Sequence, residues 1–159
     1  MLCRELNCIV PHTIVTGGET RFHSVQNSLH EVAGYDLIGV HDGVRPMVSP
    51  EVIEACFRSA EIFGAAIPVV SVIETIREKI GDQNRVADRR NFYIVQTPQV
   101  FHSSWLIEAY KQPRQESFTD DASVVESTGK TIRLVDGNIE NIKITTPLDL
   151  IVAEKTLRI

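Results

Sequence analysis

At 159 residues, with 43% hydrophobic and 23% charged side chains, the chain has the length and composition of one globular domain with one core, which excludes a disordered or fibrous protein. Its net charge of −5, from 16 Lys and Arg against 21 Asp and Glu, has the wrong sign for wrapping a nucleic-acid backbone, although a few arginines can still hold a small anionic substrate. The cysteines Cys3, Cys8 and Cys56 form no CxxC, the opening MLCRELNCIVPH has no signal-peptide core, and no apolar run approaches a membrane span, so the reading is a reduced, cytoplasmic protein.

Leu2, Cys3 and Leu6 read as the tail of an amphipathic helix, and residues 12–15 as a short strand ending at Thr16-Gly17-Gly18. From Arg21 the spacing turns helical, with Phe22, Val25, Leu29 and Val32 three or four residues apart. Residues 37–40 are a continuous apolar strand of the kind buried on both faces. Ser49-Pro50-Glu51 then supplies an N-cap, a proline at the first helical position and an acidic first turn, with Val52, Ile53, Cys56 and Ala60 as the buried stripe. Residues 65–72 form the next strand. This alternation predicts an α/β domain with right-handed crossovers and a doubly wound, mostly parallel sheet.

Residues 74–78 and 86–89 flank the turn Gly81-Asp82-Gln83-Asn84 and read as a β-hairpin arm over about residues 73–90. A lone two-stranded ribbon is marginal in water, so the arm is expected to pack on a second copy of the chain. Beyond it come a strand at 92–95, a helix around 105–110, and a helix signalled by Thr119-Asp120-Asp121-Ala122-Ser123. A strand at 131–135, a turn at Asp136-Gly137-Asn138, a strand at 141–144 and a helix from Thr146-Pro147 to Leu157 close the chain.

Ligands bind beyond the carboxyl ends of strands in open parallel sheets, and residues 37–40 deliver His41-Asp42-Gly43 to that edge. One crevice there can hold the backbone of Gly17 and Gly18, the side chains of Arg21 and Ser24, and the pair Asp42 and Arg45. Spacing alone leaves a plainer reading open: turn glycines, a solvated Ser24 and an ion pair across a bend. Plain readings also serve elsewhere. His41 is a packed or hydrogen-bonded strand-end histidine, His23 and His102 carry no partner, and Asp120-Asp121 caps a helix. Trp105 and Tyr110 are core or interface, and Cys56 carries no chemistry.

The ordered motifs GGETRFHSVQNSL, HDGVRP, ETIR, DRRNFYIVQTPQVF, FTDDASVVE and GNIENIKITTPLDL resemble those of the 2-C-methyl-D-erythritol 4-phosphate cytidylyltransferases over residues 12–157. The resemblance implies a glycosyltransferase-A-like nucleotidyltransferase fold that joins CTP to methylerythritol phosphate in the non-mevalonate isoprenoid pathway, releasing pyrophosphate. It also implies Mg²⁺ as cofactor and a homodimer with interlocked arms, with no nucleic-acid or membrane partner. Carried over by position, Gly18, Glu19 and Ser24 recognise the cytidine. Asp42 and Lys143 are catalytic, Arg45, Thr75 and Arg89 hold the acceptor, and no residue is assigned as a metal ligand. Without the resemblance, Lys143 reads as an edge-strand lysine that discourages aggregation.

Three departures stand out against the family pattern. Gly43-Val44 replaces the middle of HDAARP, and Glu74 stands where Asp is common. The family also opens with a strand, a glycine-rich AAGxGxR loop and a downstream Lys, which have no counterpart before MLCRELN. The resemblance therefore implies an N-terminally truncated, partial cytidylyltransferase domain of impaired activity. Two other functions stay open: a ribitol-5-phosphate cytidylyltransferase, which carries HDGVRP-like segments, and a non-catalytic dimerising remnant. Asp88-Arg89 in ADRRNFYIVQTPQ looks more like the methylerythritol enzymes.

Overall fold

In the computed structural model, which describes Glu5 and residues 9–157, the apolar spacing after Arg21 becomes helix α1 (Arg21–Ser28) and a 3-10 turn (Leu29–Glu31). Phe22 and Leu29 are buried, with Val25 and Val32 packed beside them. The helix expected around Leu2, Cys3 and Leu6 lies outside the described residues. Strand β1 (Leu37–Val40) leads to α2 (Pro50–Phe63), which starts where Ser49 Oγ accepts from the Val52 N–H at 3.3 Å. Val52, Cys56 and Ala60 step down α2 in fours and are buried, and burial pushes the Cys56 thiol up to about 12. Ile53, expected in that stripe, is 36% exposed because it is turned about 100° from Val52 around the helix.

Next come β2 (Ala65–Ser71), the arm strands β3 (Ile76–Ile80) and β4 (Gln83–Ala87), then β5 (Tyr93–Val95), β6 (Gln99–His102), α3 (Ser103–Ala109), α4 (Asp121–Glu126), β7 (Arg133–Asp136) and α5 (Pro147–Leu157). β6 sits between β1 and β2 and runs antiparallel to both, β5 is antiparallel to β2, and β7 is parallel to β2. β1, β2 and β7 thus share one direction, as the crossover reading requires, but the sheet is mixed rather than mostly parallel. The reason is the arm: a chain that leaves β2 through a hairpin and returns without a crossover helix enters antiparallel. β6 itself escapes a reading by pattern, being four residues long directly after Pro98.

Alternate residues of the central strands face opposite layers. Ala65, Ile67, Val69 and Phe101 join α1, α3 and α4 in one core, while Ala66 and Val100 join α2 in the other. Helices on both faces make the domain doubly wound. Among the described residues no helix is long and apolar enough to cross a membrane.

The arm strands pair only with each other, and the register Ile80↔Gln83 leaves a two-residue loop, Gly81-Asp82, tighter than the four-residue turn expected. Gly81 takes φ 59°, as such a loop demands. Two expected strands are not formed. Residues 12–15 pair with no strand among the described residues, and Ile14 is 75% exposed. Residues 141–144 join no ladder because their backbone is engaged by a loop instead: the Ile144 N–H donates to the Val44 carbonyl at 2.9 Å.

Gly64, which ends α2, has φ 91°, and a Cβ there would lie 2.2 Å from the Trp105 ring. Gly64→Ala combines left-handed strain with a clash and should cost about 1–3 kcal/mol by chemical denaturation. Gly34→Ala, where an added Cβ meets nothing within 4 Å, should change stability far less.

Candidate active site

The site is organised by a mismatch between neighbouring strands. Val69 of β2 faces Val95, and Ala66 faces Val100, so a three-residue step on β2 is matched by a five-residue step opposite. The surplus swells out between β5 and β6 around the cis Thr97–Pro98 peptide, as in a β-bulge. Gln96 and Thr97, both buried, are thereby turned toward the loops beyond β1 and β7. Thr97 Oγ1 accepts from the Asp42 N–H at 3.0 Å and lies 2.9 Å from His41 Nδ1. Gln96 Nε2 donates to the Asn138 carbonyl at 2.9 Å, and Asn141 Nδ2 donates to the Thr97 carbonyl at 2.9 Å. His41 is the hydrogen-bonded strand-end residue expected, its other ring nitrogen 3.0 Å from the Arg45 carbonyl.

Three cations converge on Asp42. Lys143 Nζ and Arg45 Nε each stand 3.2 Å from Oδ2, and Arg21 Nε stands 3.8 Å from Oδ1. Burial works to raise the Asp42 carboxyl, but hydrogen bonds from Lys143 and Arg45 and the charges of Lys143 and Arg21 outweigh it and hold it below its ordinary value. Arg45 also donates from Nη1 to the Asn141 carbonyl at 2.8 Å, so its guanidinium is fixed. Lys143 arrives because residues 137–144 cross the loop after β1: Asn138 donates to the Met47 carbonyl and accepts from the Ser49 N–H. It is therefore not an edge-strand lysine.

Asp120 and Asp121 divide their tasks. Asp120 caps α4, its Oδ1 accepting from the Ser123 N–H at 2.8 Å. Asp121 does not serve as a cap; it is fully buried and accepts from Arg21 Nη1 at 2.9 Å, Arg21 Nη2 at 2.5 Å and the Tyr110 hydroxyl at 2.6 Å. Burial opposes the charge on Arg21, but its hydrogen bonds and attraction to Asp121 reverse that effect and raise its pKa. Burial, with Asp121 beside it, also raises the Tyr110 hydroxyl. Arg21 and Asp121 are 100 residues apart in the chain, and no local pattern announces their pairing. His23 and His102, expected to carry no partner, each have one: His23 Nδ1 lies 3.0 Å from Thr20 Oγ1, and His102 Nε2 lies 3.4 Å from the Glu61 carbonyl.

Three adjoining depressions form a trough through this cluster. A space of about 440 Å³ containing Ser24 shares Arg21 and Asp42 with a middle space of about 290 Å³. The middle space shares Arg45, Gln96 and Lys143 with a third of about 640 Å³. Ser24 Oγ accepts from the Gly18 N–H at 3.0 Å and donates to the Thr20 carbonyl at 3.0 Å, so the glycine turn is tied to α1. Glu19 is exposed beside it and lines none of the three spaces. Thr75 and Arg89 are brought together, but elsewhere, in a depression of about 410 Å³ at the base of the arm. There Arg89 Nη1 donates to the Ile73 carbonyl and clips the two legs of the hairpin.

A family model described as 2-C-methyl-D-erythritol 4-phosphate cytidylyltransferase matches residues 3–159. The chain is 52% identical to the protein of that name from Phocaeicola vulgatus over 153 residues, covering 96% of this chain and 70% of the relative. It is also 52% identical to that of Porphyromonas gingivalis over 157 residues, covering 98% and 71%. The crystal structure of the Thermus thermophilus enzyme of the same name superposes with a TM-score of 0.79 at 38% identity, covering 90% of this chain and 72% of that one.

Because the carboxyl of Asp42 is depressed in the folded state, the stability it contributes is present above the ordinary carboxylate value of about 4 and is lost as pH falls through its lower folded value. Asp42→Asn should cost about 1–3 kcal/mol at pH 7, the scale of hydrogen bonds to charged groups. Denaturation midpoints measured from pH 7 down to pH 2 should show the gap between wild type and variant closing below about pH 4.

Proposed function

The chain belongs to the 2-C-methyl-D-erythritol 4-phosphate cytidylyltransferase family, and we propose that it transfers a cytidylyl group from CTP to methylerythritol phosphate with release of pyrophosphate, a step of non-mevalonate isoprenoid synthesis. The observation that carries this reading is the meeting of Lys143, Arg45 and Arg21 on Asp42, midway along a trough with room for two anionic substrates. The relatives are named for methylerythritol phosphate, which favours that acceptor over ribitol 5-phosphate.

A phosphate oxygen of the acceptor attacks the α-phosphorus of CTP in line; a new P–O bond forms, the bond to the β-phosphate bridge breaks, and pyrophosphate leaves with the electron pair. The attacking phosphate is already anionic near neutral pH, so no protein nucleophile is required and catalysis is positioning and charge stabilisation. Lys143, 47% exposed while it touches Asp42, offsets charge at the reacting phosphates. Asp42 orients the acceptor hydroxyls, and Arg45 presents a fixed guanidinium to the acceptor. Gly18, Glu19 and Ser24 recognise the cytidine.

Among the described residues no group of three or more His, Cys, Asp or Glu side chains is placed to hold a metal ion. Asp42 and Asp120 are the carboxylates that line the middle of the trough, and the oxygens of Asp42 already face three cations. That donor set fits a Mg²⁺ ion carried mainly by the triphosphate of CTP, where it would supply charge neutralisation, with Asp42 contributing through its hydration shell.

We place Thr75 and Arg89 in the acceptor site of a second copy, reached by exchange of arms in a homodimer. In support, β3 and β4 are exposed along nearly their whole length, Val86 at 62%, and Ile94 of the adjacent β5 at 49%. A cytoplasmic location suits substrates that are small, charged and unable to cross a bilayer, and we assign neither a nucleic-acid nor a membrane partner.

Cytidylyl transfer is tested with both acceptors, on the chain as it stands and preceded by the glycine-rich segment of a relative. Methylerythritol phosphate should be turned over with clear preference; preference for ribitol 5-phosphate, or no transfer by either form, would overturn the reading. Arg89→Ala should weaken acceptor binding about tenfold to a hundredfold, the loss of one charge-assisted bidentate contact, with little effect on CTP. Hybrids of Arg89→Ala and Lys143→Ala subunits should regain about half of wild-type activity, because one of two shared sites collects both defects. Hybrids as inactive as the parent homodimers would rule out shared sites.

A further inference from the structure

Asp121 is fully buried beside the trough and has no part in the reaction, and its partner Arg21 matches none of the positions assigned to substrate. We propose that Arg21 is a positioning residue: with Nη1 and Nη2 held from below by Asp121, its guanidinium turns Nε toward Asp42 and keeps that carboxylate facing Lys143 and Arg45. Only arginine has this reach. Its planar fork occupies both oxygens of one carboxylate and still presents a third donor edge to another, which a lysine ammonium cannot do.

The clamp is built for rigidity. Asp121 is fully buried, sits in the first turn of α4, and takes a third hydrogen bond from Tyr110, whose ring stacks on Phe22 of α1 at a centroid distance of 4.6 Å. The flexible arginine stem therefore starts on α1 and is anchored on α4, while the Nε edge is left over β1's end. At 3.8 Å this edge is an ion-pair contact rather than a hydrogen bond, so it acts on Asp42 by direction and charge. Every other charged group around Asp42 is accounted for. Arg45 comes from the loop after β1 and Lys143 from the segment after β7, Asp120 lines the same space from the cap of α4, and the adjacent His41 is bound to Thr97 and the Arg45 carbonyl.

The test separates this role from a purely structural one. Arg21→Gln alone leaves Asp121 buried without its cation, so it is paired with Asp121→Asn, which replaces the ion pair by a neutral amide pair. Tyr110→Phe is the stability control, since it removes a hydrogen bond from the same carboxylate but leaves both arginine bonds in place. Site-resolved carboxyl NMR should show the Asp42 titration midpoint moving upward in the double variant and unmoved in Tyr110→Phe, with melting temperature lowered in both. An unmoved midpoint in the double variant, or an equal shift in Tyr110→Phe, would overturn the proposal. Turnover rests on the cytidylyltransferase reading: in whichever of the two assayed forms transfers the cytidylyl group, the double variant should lose on the order of tenfold in kcat with KM for CTP little changed. A shifted midpoint with unchanged kcat supports the Arg21–Asp42 coupling and overturns the part given to Asp42 in transfer, so the two failures are distinguishable.

Discussion

Two surplus residues cannot stay in register against β2, and they are expelled between β5 and β6, where the sheet has a rim and the loops of β1 and β7 come within hydrogen-bonding range. Most of the site depends on that geometric constraint. The bulge aims Thr97 at the backbone of Asp42 and Gln96 at the carbonyl of Asn138, so one irregularity joins the ends of three strands. It also leaves Gln99, the first residue of β6, buried and bridging to α4: its amide donates to Asp120 Oδ2 at 2.8 Å and its carbonyl accepts from the Ala122 N–H at 2.9 Å. The helix that carries Asp121 is thus held in register with the strand that carries Thr97.

Charge balance explains why these elements are tied so firmly. Three cations around one carboxylate are a stable arrangement only where the cations are otherwise held, because each would gain by turning to water. Arg45 is held by the Asn141 carbonyl and Arg21 by Asp121, while Lys143 is delivered by a segment anchored at Met47, Val44 and Ser49. The excess positive charge at the centre of the trough is what a triphosphate and a phosphate monoester would neutralise. An overall net charge of −5 is no obstacle to this, since the field that a bound phosphate meets is set by groups a few ångströms away.

Where a signal was local, it was legible. The Ser49-Pro50-Glu51 start, the four-step burial of Val52, Cys56 and Ala60, the apolar runs of β1 and β2 and the Thr146-Pro147 start of α5 all depend on neighbours in sequence, and all appear in the fold. The Asp42 and Arg45 pair, three residues apart, was equally readable. Asp121 was not, because a carboxylate after Thr-Asp at a helix start satisfies the same local rules whether it faces water or a buried arginine. Residues 141–144 misread as a strand for a related reason: their apolar alternation is real, but the backbone partners turned out to be a loop and side chains rather than a neighbouring strand.

The sequence by itself determined the elements whose hydrogen bonds close within a few residues, most of the buried spacing of α1 and α2, and, through long ordered motifs, membership of the cytidylyltransferase family. Tertiary structure alone decided the direction and place of β6, the bulge at Gln96-Thr97, the approach of Lys143 to Asp42 and the pairing of Arg21 with Asp121. The division follows from the range of the forces. Helix propensity and capping act over three or four residues and leave a periodic trace, whereas strand order and long-range ion pairs are settled when distant segments compete for the same sheet edge or the same buried charge. No periodicity records the outcome of that competition.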